Sequence, residues 1–162
     1  MRVLALVAGL AGAVALSQFP EFSQQYLQRL GGQADALRAV ATAFDASATA
    51  AGLTREAALA DLSSGTFQVA HQADMRETLA RADRADSDLA LLRAASPLER
   101  LALPQRFRDV ETLQATWADF RPAVPVTAEG LISAGIGFVA GYGIMAGLIA
   151  LILAPFRRRA FG

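Results

Sequence analysis

One stretch constrains this chain more than any other. Leu131 to Leu153 reads LISAGIGFVAGYGIMAGLIALIL, without one Asp, Glu, Lys, Arg or His, and Ala154-Pro155-Phe156 lead from it to Arg157-Arg158-Arg159. As a helix it reaches about 30 Å or slightly more, the thickness of a bilayer core. A water-soluble domain has no use for so long an uncharged run. The spacing predicts a membrane-spanning helix, with Thr127 as its cap and Glu129 in its first turn, where the helix dipole favours an anion.

A second apolar run sits at the other end. Arg2 precedes Val3 to Leu16, and two readings stay open. It fits a cleaved signal peptide with Ala15-Leu16-Ser17 as the cleavage site. It also fits a retained span extended through Ser17, Gln18 and Phe19. Ala5, Gly9 and Ala13 recur every fourth residue, as do Ala8 and Gly12. A close-packing stripe serves a helix that stays in the membrane and meets a partner, and so favours retention.

Charge sets the orientation. All 15 acids lie between Glu21 and Glu129 with 11 of the 15 arginines, so the centre carries four excess negative charges and both tips are basic. Positive flanks stay cytoplasmic. Arg2, Arg157, Arg158 and Arg159 therefore place both termini in the cytoplasm and the central residues in the periplasm, and the C-terminal arginines can also meet anionic lipid headgroups. A weakly acidic centre gives no footing for nucleic acid. The absence of Cys removes disulfides, thiolate metal sites and thiol catalysis.

The centre reads as helices. After Pro20, Phe22, Tyr26, Leu30, Leu37, Val40, Phe44, Ala48 and Ala51 follow a period near 3.6. Gly31-Gly32 predicts a bend or the approach of a neighbouring backbone, and Gly52 an end. Thr54 caps a short helix to about Leu62. The next runs from about Thr66 to Ala95 with Phe67, Met75, Leu79, Ala82, Leu89 and Leu92 on its apolar edge, and with Glu77 and Arg81 as an i,i+4 pair. Ser96-Pro97-Leu98-Glu99 has the form of a capping box. Phe107, Val110, Leu113, Trp117 and Phe120 form one further apolar face, and Pro122 and Pro125 a stiff connector.

No catalytic residue, cofactor site or metal site stands out. His71 is the only histidine, and with Asp74 it makes two ligands where a metal needs three or four. Asp83, Asp86 and Asp88 lack the spacing of a calcium loop and read as a solvated face. The spans carry none of the ionisable groups that ion pathways use.

Small residues are the main site signal. Ser133, Gly137 and Gly141 are spaced by four, and Gly143 and Gly147 form a second face. Such residues let backbones approach where lipid offers no hydrophobic drive. The leading expectation pairs the first face with Ala5, Gly9 and Ala13 and leaves the second for another protein or another copy.

The run Phe19-Pro20-Glu21-Phe22-Ser23-Gln24-Gln25-Tyr26-Leu27-Gln28-Arg29-Leu30-Gly31-Gly32 resembles a family of small two-span proteobacterial inner-membrane proteins, classed as a domain of unknown function. The likeness covers most of the chain. It implies a bacterial inner-membrane protein that keeps its first span, and it carries no activity.

The expected fold is all-α: two transmembrane helices flanking a periplasmic three- or four-helix bundle. Residues 1–19 form the first span, 20–126 the periplasmic domain, 127–156 the second span and 157–162 a basic tail. The expected function is non-catalytic, an accessory or scaffold subunit that meets lipid and either another inner-membrane protein complex or itself. The alternative is a periplasmic ligand-sensing module, which would need an apolar pocket lined by Arg29 or Arg38. With three residues after Arg159, it would signal through a partner.

Overall fold

The computed structural model describes residues 2–122, 124 and 126–158. Six α-helices follow in order: α1 Arg2–Ser17, α2 Phe19–Ala50, α3 Arg55–Asp61, α4 Thr66–Ala94, α5 Val110–Asp119 and α6 Ala128–Arg158. Two 3-10 turns, Glu99–Ala102 and Pro104–Arg106, lie between α4 and α5. No strand occurs among the described residues. Pro125 and Arg159 lie outside them.

The chain divides into two compact units. The first gathers Met1–Gln24, Pro97–Ala102 and Asp119–Gly162; the second holds Gln25–Ser96 and Leu103–Ala118.

In the first unit α1 and α6 pack along each other. The boundary between α1 and α2 follows from Pro20, whose missing amide removes one helical hydrogen bond. Gln18 N–H donates to the Ala15 carbonyl in a tightened turn, and the regular pattern resumes with Phe22 N–H on the Gln18 carbonyl. Thr127 caps α6 by accepting from the Gly130 amide at 3.1 Å. Phe22 and Phe120 meet edge to face at 5.6 Å.

The second unit is held by α2 and α4. Tyr26, Leu27, Leu30, Ala34 and Leu37 recur at helical spacing and bury against Ala82, Ala85, Leu89 and Leu92, with Leu103, Phe107 and Leu113 packed on this core. α2 runs without a break through Gly31-Gly32. Gly31 is the buried member of the pair, and a Cβ there would stand 2.9 Å from Arg93 Nη2. That atom is the end of a flexible side chain and nothing lies within 4 Å of a Cβ on Gly32, so the pair marks neither a bend nor the approach of another backbone. Gly52, at φ +73°, ends the helix, with Leu53 N–H returning to the Ala48 carbonyl. Thr54 caps α3 through the Ala57 amide, and Gln72 on α4 donates to the Leu59 carbonyl on α3.

Three local expectations change. Ser96 to Glu99 starts only a short 3-10 turn, with Pro97 outside it. Phe67 points outward at 78 % exposure and stacks on His71. The apolar face expected around α5 is split. Phe107 and Leu113 pack inward, while Val110 and Trp117 are 62 % and 72 % exposed and Thr112 and Thr116 are buried instead.

Ion pairs set that rotation of α5. Arg81 Nε and Nη2 hold Asp109 in a two-pronged pair at 2.9 and 3.0 Å, and Arg81 also reaches Glu111 at 2.7 Å. Asp109 in turn caps α5 through the Thr112 amide. With the first turn pinned this way, Thr112 and Thr116 face the core, and the Thr116 hydroxyl is satisfied by the Thr112 carbonyl. Arg81 thus spends its charge on α5, and Glu77 pairs with Arg84 rather than with Arg81.

Burial alone would raise the Asp109 carboxyl; Arg81 and the Thr112 hydrogen bonds outweigh it and hold the pKa at about 2. A carboxyl depressed from the usual value of about 3.9 stabilises the fold above that value and loses the contribution as pH falls through the folded one. The second unit is therefore expected to lose this contribution to its stability as pH falls from about 4 to about 2. Asp109→Asn should flatten that limb in a circular-dichroism titration, and an unchanged titration would count against the assignment.

Candidate functional site

The seam between α1 and α6 is where the small residues do physical work. Ala5 and Gly9 on α1 and Ser133 and Gly137 on α6 are buried. A Cβ built on Gly12 would collide with the carbonyl oxygen of Gly137, and one on Gly137 with that of Gly12. One on Gly141 would strike the Ala8 carbonyl oxygen, and one on Gly9 would stand 2.9 Å from the Phe138 ring. The colliding groups are mostly helix backbone, which cannot rotate away. Glycine is required here by proximity, since close approach is how two apolar helices gain van der Waals contact in a medium as apolar as themselves.

These contacts fix an antiparallel register. Gly12 lies against Gly137 and Ala8 against Gly141, so each step back along α1 matches a step forward along α6. Arg2 then falls level with Gly147, and Pro20 level with Glu129. Glu21 and Glu129 line one cleft of about 410 Å³ at the end of the pair away from Arg2.

The small residues divide between two surfaces. Ala5, Gly9, Ser133, Gly137 and Gly141 come together in the seam, joined by Ala8 and Gly12 of the other α1 stripe. Ala13 is half-buried at its edge. Gly143 and Gly147 are not part of it: nothing lies within 4 Å of a Cβ on either, nor on Gly135. The Ser133 hydroxyl is buried with no hydrogen-bond partner among the described residues. Phe138 and Leu16, which close over the glycines, carry no sequence signal of their own in so apolar a context. Arg157 and Arg158 fall in the last turn of α6.

Outside the seam the two helices are jacketed in aliphatic side chains. Val3, Leu4, Val7, Leu10 and Val14 on α1 are exposed, as are Leu131, Ile132, Val139, Ile144, Leu151 and Ile152 on α6. Arg2–Ala50 and Ala128–Leu153 are both long and apolar enough to cross a membrane.

The charged residues of the second unit satisfy one another. Asp88, its side chain only 5 % exposed, accepts from Arg108 Nε at 2.7 Å, from Arg108 Nη2 at 3.2 Å and from Arg106 Nη1 at 3.1 Å. It is therefore not the solvated aspartate its neighbours imply. Its partners lie 18 and 20 residues away, beyond any local pattern. Arg81, Arg84, Asp88, Arg108, Asp109 and Glu111 are among the walls of a cleft of about 370 Å³. Arg38 pairs with Asp35 and Asp86 beside an open groove of small residues. Among the described residues no three His, Cys, Asp or Glu side chains converge as a metal site.

Fold and seam together define an all-α protein with two helices fit to cross a membrane, packed antiparallel on glycine. The chain belongs to the family described as "Protein of unknown function (DUF2937)", whose model matches residues 1–158. No curated protein and no solved structure matches the chain.

Proposed function

We propose that this protein is a non-catalytic accessory or scaffold subunit of a bacterial inner membrane, with α1 and α6 in the bilayer, both termini cytoplasmic and the helices between them periplasmic. It binds another membrane protein complex, or itself, through the glycine face that α1 leaves open and through its periplasmic helices. The observation that carries this reading is the aliphatic jacket. From Val3 to Leu16 and from Leu131 to Leu153 there is no ionisable side chain except Tyr142, and the outward residues are those lipid would cover.

Length supports the same placement. Glu129 and Arg157 are separated by about 42 Å of helix, and Glu21 and Arg2 by about 28 Å. A bilayer measures about 30 Å across its hydrocarbon and about 40–45 Å with headgroups. With the glutamates at the outer edge, Arg2 falls at the inner hydrocarbon boundary and Arg157 among the headgroups. The basic side is then cytoplasmic by the positive-inside rule.

The cleft beside Asp88 supports the non-catalytic reading. Its acids and arginines neutralise one another, which is the chemistry of a clamp. The sensing alternative needs an apolar pocket lined by Arg29 or Arg38, and the groove beside Arg38 is shallow and open, walled by Asp35, Ala39, Thr42, Ala43 and Ala46.

Two measurements test the proposal. The protein should stay in the membrane pellet after alkaline carbonate extraction, and a reporter fused after Gly162 should be active only in the cytoplasm. Gentle detergent should co-purify a stoichiometric partner or a homo-oligomer. Release into the supernatant, or a clean monomer in nanodiscs with no crosslinked neighbour in cells, would sink it.

A further inference from the structure

Trp117 is the chain's only tryptophan, and it is strongly exposed. The Arg81–Asp109 pin turns α5 so that this ring faces outward while Thr112 and Thr116 are buried. In water that arrangement leaves a large aromatic surface hydrated. At a membrane surface it does not, because an indole ring settles in the acyl boundary while its N–H reaches the headgroups.

The depth of the ring follows from its neighbours. Val124 and Val126 wall the cleft that Glu21 and Glu129 also line, so they stand at the outer edge of the bilayer with those glutamates. They are 81 % and 84 % exposed. Ala128, two residues further on, opens α6, where exposed Leu131 and Ile132 continue the apolar surface. Phe120 meets Phe22, the residue after Glu21, edge to face, which brings Phe120 to the same level. Phe120, Val124 and Val126 belong to the first unit, and α5 runs unbroken into that unit at Asp119. Three residues of chain span at most about 10 Å, so Trp117 lies no further than that from Phe120. The headgroup layer is about 5–8 Å deep on each side of the hydrocarbon, and the length of a tryptophan side chain covers the remainder.

We infer that Trp117, Val124 and Val126 form an interfacial anchor, seated at the boundary between headgroups and acyl chains of the leaflet where α6 begins. It ties the end of α5 and the connector to the lipid surface. Lipid is the occupant because this surface is continuous with the aliphatic jacket of α6. The stretch 117–128 carries one acid, Asp119, and one base, Arg121, so no net charge opposes an anionic membrane. This inference rests on α6 crossing a bilayer.

A single tryptophan makes the test direct. The full-length protein is placed in phosphatidylcholine vesicles whose acyl chains carry bromine near the headgroup or near the chain end. Trp117 emission should fall about twofold or more with the shallow bromine and clearly less with the deep one. Val126→Trp in a Trp117→Phe background should behave in the same way. Equal quenching by both lipids, stronger quenching by the deep one, or none from either overturns the inference. A ring shielded from both lipids and from acrylamide in the buffer would place a protein there instead, and overturns it too. Ile144→Trp in the Trp117→Phe background separates the two levels, since Ile144 is exposed near the middle of the apolar run. Deep-bromine quenching there without shallow quenching of Trp117 removes this inference alone. No quenching at either position removes the membrane reading beneath it.

Discussion

Gly137→Val is expected to destabilise the α1–α6 pair by about 3 kcal/mol, while Gly147→Val changes it by less than about 0.5 kcal/mol. Both glycines lie on the same helix, ten residues apart. A Cβ at Gly137 meets the Gly12 carbonyl oxygen and comes within 2.8 Å of Leu16 Cβ, whereas a Cβ at Gly147 meets nothing within 4 Å. Overpacking of a core commonly costs about 1–3 kcal/mol, because neighbouring side chains shift to make room. Here the obstacle is another helix backbone, and relief requires the two helices to separate, so the upper end of that range applies. The readout is SDS-driven opening of the pair. It is followed by energy transfer between dyes on Leu4→Cys and Ile144→Cys, in detergent dilute enough to keep copies apart. Equal midpoints for the two valine variants would refute the close-packed seam.

The second large effect is expected in the helices between the spans. Asp88→Ala should cost about 2–3 kcal/mol, and Asp83→Ala, five residues earlier on the same helix, less than about 0.5 kcal/mol. Removing one partner of a fully buried pair costs about 3–5 kcal/mol, because a charge is left in a poor solvent. The Arg106 and Arg108 side chains keep 30 % and 47 % exposure and can turn partly to water, which lowers the figure. Urea unfolding of the detergent-solubilised chain, followed by Trp117 fluorescence, gives the comparison. A loss for Asp88→Ala no larger than for Asp83→Ala would mean that the clamp contributes nothing beyond a surface pair.

The two sites differ in how far local sequence shows them. The seam is legible because it is written at fixed spacing: Ala5, Gly9, Gly137 and Gly141 sit four residues apart within each helix, and small side chains in an uncharged run have few other uses. The clamp is not, because Asp88 looks like Asp83 and Asp86 until Arg106 and Arg108 fold back onto it. α5 shows the limit of periodicity. Phe107, Val110, Leu113 and Trp117 obey the helical spacing, yet the Arg81–Asp109 pair rotates the helix so that two threonines are buried and the tryptophan is not. An amphipathic pattern marks a preferred face, but a charge-assisted pin on the first turn outweighs the burial of one valine and one tryptophan ring edge.

Sequence alone determined that this chain is helical, where its apolar runs begin and end, and which glycines could admit a neighbour. Those properties depend on contacts within a few residues, which any window of the chain contains. Tertiary structure decided which glycine face was used, that Gly143 and Gly147 stayed open, and that Asp88 was buried among arginines. Each of those depends on groups far apart in the chain meeting at a particular register, and register is set by the summed packing of whole helices, which no local spacing encodes.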